Sequence, residues 1–469
     1  MNIREAIRQT ETALRAYAQR DERGMPLIAA SMQRPIYLLG APGIGKTAAV
    51  AQVAQHLNVG LVSCTLTHHT RQSALGLPQI VSRTFDGKNM QVTEYTMSEI
   101  LAQVYRYIEE TGQKKGILFL DEINCVSETL MPAILELLQQ KRFGAHSVPD
   151  GWMIVCAGNP EQYNRSARAF DAVALDRVRL MRIEPDLNAW LAYAAENDVH
   201  PMVRSYLRIS PEDFYRIAPD GTITPRSWTD LSAMMRALDR MGEAANDALF
   251  EQYLQVNDIA KRFSMYVKIC LGAANALDLN AVLDGNQAAA GILKQKSFEE
   301  SLFLGTLLAE RIRAEMREAD VSREIAIRVR QFSDGAKASD KPFAQACCEQ
   351  LNRREDVLKL RKKIGGISED EEVREKKLLD GVREILANAM EEQKFDLQAE
   401  NARQQSEAMG IRAGKRAENA FTFMLSAFPK RVQIVMLSDL AHDERVYRAL
   451  QRILPERIRE LENEFKPKE

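Results

Sequence analysis

The sequence contains no long hydrophobic run. No stretch of its 469 residues approaches the ~18 apolar residues of a membrane-spanning helix. Its six cysteines lack the C-x-x-C spacing of a metal site, which favours reduced thiols. The first residues, MNIREAIRQTETALRAYAQRDE, predict a charged amphipathic helix and not a secretory signal. These absences, with 45% hydrophobic and 27% charged residues, predict a soluble protein of the cytoplasm.

An excess of positive or of negative charge is also missing. The formal net charge of −2 gives no overall attraction to nucleic acid or to an anionic membrane. One local exception is a basic cluster, which consists of Arg353, Arg354, Lys359, Arg361, Lys362 and Lys363. A solvated helical face explains such a cluster, and a contact with nucleic acid or with a protein partner is the alternative.

A glycine-rich segment follows the first apolar run. Residues 35–39, PIYLL, predict a short buried strand, and residues 40–47, GAPGIGKT, fit the phosphate-binding pattern G-x-x-x-x-G-K-[ST]. Glycines let the backbone N–H groups point at phosphate oxygens, while Lys46 reaches the β- and γ-phosphates and Thr47 binds Mg²⁺. The residues expected to bind the nucleotide are Gly40, Ala41, Pro42, Gly43, Ile44, Gly45, Lys46, Thr47 and Ala48. We therefore predict a nucleotide-binding protein.

Strands and helices alternate through the first 185 residues, and the remainder is helical. Near-continuous apolar strands separated by helices predict an α/β fold with a parallel sheet that is covered on both faces. The predicted strands are residues 35–39, 59–65, 116–120, 152–157 and 180–183. Ligands of such sheets bind at the carboxyl ends of the strands. The glycine-rich segment, Asp121, Glu122 and Asn159 all follow strands, so we expect them to form one site.

The residues after these strands have the chemistry of nucleotide hydrolysis. Asp121 can hold Mg²⁺, and Glu122 can orient and deprotonate the attacking water. Asn159 could position the same water, although an Asn-Pro pair alone is more often a turn. Arg177 could reach the phosphates of a neighbouring subunit. The alternatives for this role are Arg165, Arg168 and Arg179.

Together these segments resemble the AAA+ ATPases and, within them, the MoxR-like branch. The resemblance extends over about residues 1–285. It is carried by GAPGIGKT at 40–47, LFLDEIN at 118–124, AGNP at 157–160, ALDR at 174–177 and TPRSW at 224–228. In that family these segments are Walker A, Walker B, sensor 1, the arginine finger and sensor 2.

The resemblance implies an ATP-hydrolysing enzyme that uses Mg²⁺ and forms a hexameric ring. Arg226 of the sensor 2 segment would project onto the γ-phosphate of its own subunit. Residues 79–95 alternate polar and apolar side chains around Asp86 and Gly87, which predicts a hairpin, and residues 141–151 predict a second one. A plain surface loop is the alternative for each on the pattern alone. Both segments fall where the branch has its helix-2 and pre-sensor-1 insertions. In the family these insertions line the central pore and engage the protein that is remodelled. The branch typically works with a partner that contains a von Willebrand factor A domain.

We accordingly expect a P-loop AAA+ module with a helical lid and an additional all-helical C-terminal region. The predicted segments are an N-terminal helical segment (1–34), the α/β nucleotide-binding subdomain (35–185), the lid (186–285) and a helical C-terminal domain (286–469). In the last of these, Phe421, Met424, Leu425 and Phe428 line a helix. Such a stripe is usually core, and a partner-binding helical hairpin is the alternative.

Two further functions stay open beside an ATP-driven remodeller. A nucleic-acid-associated or defence-system motor would use the basic cluster as its anchor. The near-neutral net charge and the lack of a recognisable nucleic-acid-binding motif argue against it. A nucleotide switch without significant turnover is the other option, and Glu122 argues against it because a switch has little need of an activating carboxylate.

Overall fold

The computed structural model describes residues 1–465 apart from residues 69, 220, 276, 287, 289, 294, 364–366, 368, 389 and 390. The chain divides into two compact units. Unit 1 comprises Met1–Asp186 with Lys359–Ser368, and unit 2 comprises Leu187–Leu358 with Glu369–Glu469. Across the described ranges, no helix combines the length and the apolar character needed to cross a membrane.

Unit 1 alternates helices and strands, as the sequence predicts. In chain order they are α1 (Ile3–Tyr17), β1 (Ile36–Gly40), α2 (Lys46–His56), β2 (Gly60–Thr65), α3 (Arg71–Leu75), β3 (Pro78–Phe85), β4 (Lys88–Tyr95), α4 (Glu99–Thr111), β5 (Gly116–Asp121), α5 (Met131–Gln140), β6 (Arg142–Phe143), β7 (His146–Ser147), β8 (Trp152–Gly158), α6 (Ala172–Asp176) and β9 (Arg179–Ile183).

Five of these strands form one parallel sheet in the order β2-β5-β8-β1-β9. The predicted α/β fold with a parallel sheet is therefore confirmed, and all five predicted strands are present. Strands β5 and β8 are buried along almost their whole length, as continuous apolar sequences require when helices cover both faces. In this order the carboxyl ends of β1, β5 and β8 lie side by side at one edge of the sheet.

Both predicted hairpins are also present. Strands β3 and β4 pair antiparallel around the turn at Asp86 and Gly87, both of which have positive φ. Strands β6 and β7 form a much shorter antiparallel pair. In the longer hairpin most side chains of both strands are exposed, so it contributes little to the core of unit 1.

Unit 2 is almost entirely helical. Its elements are α7 (Leu187–Glu196), α8 (Pro201–Ile209), β10 (Arg216–Ala218), β11 (Gly221–Ile223), α9 (Pro225–Met241), α10 (Asp247–Tyr253), α11 (Asn257–Ala274), α12 (Leu279–Leu283), α13 (Ala290–Leu293), α14 (Phe298–Lys337), α15 (Phe343–Lys363, which continues into the second segment of unit 1), α16 (Glu369–Asn388), α17 (Glu392–Ala427), α18 (Lys430–His442), α19 (Glu444–Ile453) and α20 (Pro455–Phe465). The large helical C-terminal region predicted from the sequence is therefore confirmed.

The larger of two hydrophobic clusters described in unit 2 includes residues from Trp190 to Leu461. A smaller, separate cluster includes Val329, Val382 and Phe395. The larger cluster includes fully buried side chains on both sides of position 285, among them Phe263 and Phe303. The boundary predicted between the lid and the C-terminal domain does not coincide with a gap in this packing. The predicted lid (186–285) and the predicted C-terminal domain (286–469, called the tail below) share this core. The reason is that the long helix α14 packs against α8 and α11 of the first segment and against α17 and α18 of the second.

The apolar stripe of α17 belongs to this core. Phe421 and Met424 are fully buried, Phe428 is nearly so, and Leu425 packs against the same cluster. The stripe is therefore core, and the alternative of an exposed partner-binding hairpin is not supported at these residues.

Buried ion pairs accompany the apolar contacts in unit 2. Arg204 of α8 and Asp439 of α18 are both fully buried, and Nη1 of the arginine lies 3.1 Å from Oδ2 of the aspartate. Arg204 also bonds Glu310 of α14 at 2.9 Å, and Arg313 of α14 donates to the main-chain oxygen of Asp439 at 2.9 Å. These bonds join a helix of the predicted lid to two helices of the tail.

Candidate nucleotide-binding and hydrolysis site

The predicted phosphate-binding loop connects β1 to α2. Gly43 and Gly45 have φ values of +72° and +89°, a backbone conformation that favours glycine, and α2 begins directly afterwards at Lys46. The loop consequently ends at a helix N-terminus, where free N–H groups and the helix dipole favour an anion. Residues 41–45 form the loop itself, and Ala48 lies in the first turn of α2.

The side chain of Lys46 joins this loop to the end of β8. Its ammonium group is buried and donates to the main-chain oxygens of Gly40 and Ala41 and to Oδ1 of Asn159, at 2.8 Å each. Asn159 lies 113 positions away in the chain and follows the strand that pairs with β1. The structure thus brings these two predicted site residues into direct contact.

A second contact links the loop to the end of β5. The hydroxyl of Thr47 donates to Oδ2 of Asp121 at 3.0 Å. A hydroxyl and a carboxylate at this separation are hard oxygen ligands of the kind that Mg²⁺ takes together with phosphate oxygens and water. In the described part of the chain no group of three or more His, Cys, Asp or Glu residues could hold a metal alone. The pair therefore fits a magnesium ion that arrives with a nucleotide.

Glu122 has an unusual backbone conformation. Its φ of +55° is rare for a residue with a side chain, and its N–H donates to Oδ1 of Asp121 at 2.9 Å. Its carboxylate accepts a hydrogen bond of 3.0 Å from the hydroxyl of Thr67. Backbone strain of this kind costs free energy, on the order of 1–3 kcal/mol, and often occurs at functional sites.

Sequence reasoning missed two residues of the site, Thr67 and Asn124. Thr67 follows β2, and the contact with Glu122 arises because β2 pairs with β5 in the sheet. Asn124 is buried and donates from Nδ2 to the main-chain oxygen of Asn159 at 2.7 Å. Only their positions in the sequence could have identified these residues. Thr67 follows the end of a predicted strand, and Asn124 follows the Asp121-Glu122 pair.

The surroundings of Cys125 change the pKa of its thiol. Burial raises the pKa of Cys125, and the nearby carboxylates of Glu122 and Asp121 raise it further. The turn after β5 carries the adjacent carboxylates of Asp121 and Glu122, whose negative charge a divalent cation would offset.

The four arginines considered for a trans-acting role differ in their contacts. Arg168 forms an ion pair with Glu128. Arg177 is half-buried at the carboxyl end of α6, Arg179 begins β9, and Arg165 is exposed. Within the described ranges, the side chains of these last three residues have no hydrogen bond or ion pair.

Arg226 lies in unit 2, as the exposed second residue of α9. A capping box between Thr224 and Ser227 fixes the start of this helix, with Pro225 at its first position. Trp228 is fully buried and donates from Nε1 to the main-chain oxygen of Asp213 at 3.3 Å. The backbone at Arg226 is therefore held in place by the start of α9, while the residue itself is exposed.

Comparison with protein families gives a match to the N-terminal part of the chain. Residues 29–162 fit the family model described as an AAA domain. The matched segment includes the phosphate-binding loop, Asp121, Glu122 and Asn159, and it ends before Arg177. No curated protein matches the chain. The match and the five-stranded parallel sheet together indicate that this protein contains an AAA-type P-loop ATPase domain.

Proposed function

We propose that the protein hydrolyses ATP to ADP and phosphate at the site between the carboxyl ends of β1, β5 and β8. The observation that carries this proposal is the pair of contacts from consecutive residues of α2. Lys46 bonds Asn159, and Thr47 bonds Asp121. Three segments that are distant in sequence therefore converge where a triphosphate would meet the loop and the helix N-terminus.

In this mechanism each residue has a separate task. Lys46 compensates the charge of the β- and γ-phosphates, and Thr47 with Asp121 would hold Mg²⁺, which supplies positive charge to the phosphate oxygens. Glu122 accepts a proton from water as the water oxygen attacks the γ-phosphorus and the bond to ADP breaks. Asn159 orients that water.

Two arginines complete the proposal. Arg177 acts across a ring interface on the γ-phosphate of a neighbouring subunit, and Arg226 acts on the γ-phosphate of its own subunit. The side chain of Arg177 makes no ion pair or hydrogen bond among the described residues, which suits a group that serves another copy, and Arg165 and Arg179 share this property. The proposal includes a hexameric ring, which brings each Arg177 to a neighbour.

We further propose that the protein is a MoxR-like remodelling ATPase of the cytoplasm. Its support is the β3–β4 hairpin, which stands where that branch has its helix-2 insertion. Ile80, Phe85 and Met90 of this hairpin are 73%, 51% and 49% exposed, although they are large and apolar. Such side chains suit contacts with a client protein. A von Willebrand factor A domain protein is the proposed partner.

The first experiment measures ATP hydrolysis by the full chain with and without Mg²⁺. Lys46→Ala is the matched negative variant, because it removes one charge from the loop and should weaken ATP binding about 10-fold or more. The assay is repeated with DNA and with RNA. Hydrolysis that is unaffected by nucleic acid supports a remodeller, whereas strong stimulation would favour a nucleic-acid motor. Unchanged ATP affinity in Lys46→Ala would contradict the site assignment.

A further inference from the structure

Asn124 follows the Asp121-Glu122 pair and contacts Asn159, without belonging to the predicted catalytic set. It is part of the short 3-10 helix Ile123–Cys125 and is only 2% exposed. Its side-chain Nδ2 donates to the main-chain oxygen of Asn159 at 2.7 Å. Its main-chain oxygen accepts the N–H of Arg168 at 2.9 Å. This one residue therefore connects the turn after β5, the turn after β8 and the arginine-bearing segment that follows.

We propose that Asn124 is a positioning residue for ATP hydrolysis and acts through Asn159. The proposal rests on the hydrolytic function proposed above and adds a residue for which that function gives no role. Asn124 does not need to touch the nucleotide. It holds the backbone of Asn159 so that the amide of Asn159 stays beside Lys46, where the γ-phosphate would lie.

The first support is that Asn159 is held at two points. Its Oδ1 accepts from Lys46 at 2.8 Å, while its main-chain oxygen accepts from Asn124 at 2.7 Å. Pro160 follows and restricts the backbone of Asn159 to extended conformations. With the main-chain oxygen fixed, the remaining freedom lies in the side chain, whose end is also bonded. A group that must orient a water needs this degree of fixation.

The second support is the orientation of the Asn124 amide. Its Oδ1 is buried and has no hydrogen-bond partner among the described residues. Exchanging Oδ1 and Nδ2 would place two acceptor oxygens, those of Asn124 and Asn159, against each other. The orientation of the amide is therefore set by the bond to the main-chain oxygen of Asn159.

Gly158 supports the same arrangement. A Cβ atom built on Gly158 would lie 2.4 Å from Oδ1 of Asn124 and 2.6 Å from the hydroxyl oxygen of Tyr37. A side chain at this position would therefore displace Asn124 from its place beside Asn159. The absence of a Cβ at position 158 allows the two turns to approach closely enough for the bond of 2.7 Å.

A double-mutant cycle tests whether Asn124 acts through Asn159. We expect Asn124→Ala to lower kcat about 10- to 100-fold, as a small misplacement of a water-orienting group does, with little change in KM or in ADP affinity. The variants are Asn124→Ala, Asn159→Ala and both together. If the proposal holds, the double variant is no slower than Asn159→Ala alone. Asn159→Ala already removes the side chain that Asn124 positions, so losing Asn124 as well has no further effect. Multiplicative losses, or an unchanged kcat in Asn124→Ala, would overturn it.

Two further variants separate positioning from general stability. Cys125→Ala alters the adjacent residue of the same turn, whose Sγ accepts from Asn164, and should keep a kcat near wild type. Asn124→Asp preserves the shape of the side chain but can donate to Asn159 only when its carboxyl is protonated. Its kcat relative to wild type should therefore rise as the pH is lowered. This variant also replaces Asn124→Ala if the alanine variant does not fold.

These measurements also separate the proposed ATP hydrolysis from the proposed role of Asn124. Wild-type protein that binds but does not hydrolyse ATP would contradict the proposed function and this role together. Wild-type protein that hydrolyses ATP, with a flat pH ratio in Asn124→Asp, would contradict only the role of Asn124. If Asn124→Ala lowers ADP affinity and thermal stability along with kcat, the residue has a general structural role. That result would also overturn the proposal.

Discussion

The hydroxyl oxygen of Thr67 lies 3.0 Å from Oε2 of Glu122, so a residue beyond β2 holds the carboxylate that follows β5. Parallel pairing produces this contact, because Thr65 and Asp121 are partners in the register of the two strands. The strained backbone of Glu122 directs its side chain, and Thr67 fixes the end of that side chain.

Replacing Thr67 with valine tests this contact. Valine has nearly the shape of threonine but cannot donate, so the carboxylate of Glu122 loses a restraint. A net hydrogen bond of about 1 kcal/mol corresponds to roughly a fivefold lower kcat, with ATP affinity unchanged. Thr67→Ser retains the hydroxyl and should restore most of the activity. A Thr67→Val protein with wild-type kcat would show that the bond has no part in turnover.

Glu122→Gln should bind ATP and Mg²⁺ normally and hydrolyse ATP very slowly. The amide has the size of the carboxylate but cannot accept a proton, so kcat should fall about 10²–10⁴-fold. Fluorescent-nucleotide titration measures binding, and phosphate release measures turnover. Near-normal phosphate release would exclude Glu122 as the base.

Arg177→Ala should bind ATP but turn it over slowly. A guanidinium that stabilises the charge of the γ-phosphoryl transition state is worth about 10³–10⁵ in kcat. The trans arrangement is tested by mixing Arg177→Ala subunits with Lys46→Ala subunits, each inactive alone. Some interfaces then combine an intact phosphate-binding loop with an intact arginine, and part of the activity should return.

The control for this experiment is native mass spectrometry of the mixture. No recovery of activity in rings that demonstrably contain both variants would count against Arg177 acting in trans. Repeating the mixture with Arg165→Ala, Arg168→Ala or Arg179→Ala compares the other candidates. Recovery with one of these and not with Arg177→Ala would transfer the role to that residue.

Deleting residues 79–95 should leave ATP hydrolysis largely intact and abolish action on a client. The hairpin is exposed on most of its side chains, so the core of unit 1 loses little. A finer variant is Phe85→Ser at the exposed tip. Thr84→Ser is its matched control, since adjacent strand residues point to opposite faces of the hairpin. Client remodelling by the deletion variant would refute the proposed contact.

Asp439→Asn should destabilise unit 2 by about 3–5 kcal/mol, because it removes the carboxylate that compensates buried arginines. Burial alone would raise the pKa of Asp439, but Arg208 and Arg204 outweigh burial and hold that pKa below its usual value. The stabilising contribution is therefore present above the unfolded-state pKa of about 4 and is lost as the pH falls below it. Denaturant melts at neutral and acidic pH measure this. Equal acid sensitivity in wild type and Asp439→Asn would contradict the assignment.

The sequence by itself determined the local parts of this protein. Near-continuous apolar runs predicted β1, β5 and β8, because a strand buried on both faces has few polar positions. The edge strands β2 and β9 include polar, exposed residues, and the sequence predicted them from shorter apolar segments. The spacing of glycines, Lys46 and Thr47 predicted the loop, since that backbone path depends on a few adjacent residues. The turn residues at 86 and 87 likewise predicted the longer hairpin.

The tertiary structure decided which distant residues meet. Thr67 contacts Glu122 only because β2 and β5 are neighbours in the sheet, and Asn124 contacts Asn159 only because the ends of β5 and β8 lie side by side. Strand order is set by long-range packing, which no local pattern encodes. The same reason applies to unit 2. The helical stripes predicted buried faces, but only the packing of α14 against α8, α11, α17 and α18 joined faces from both predicted segments in a shared core.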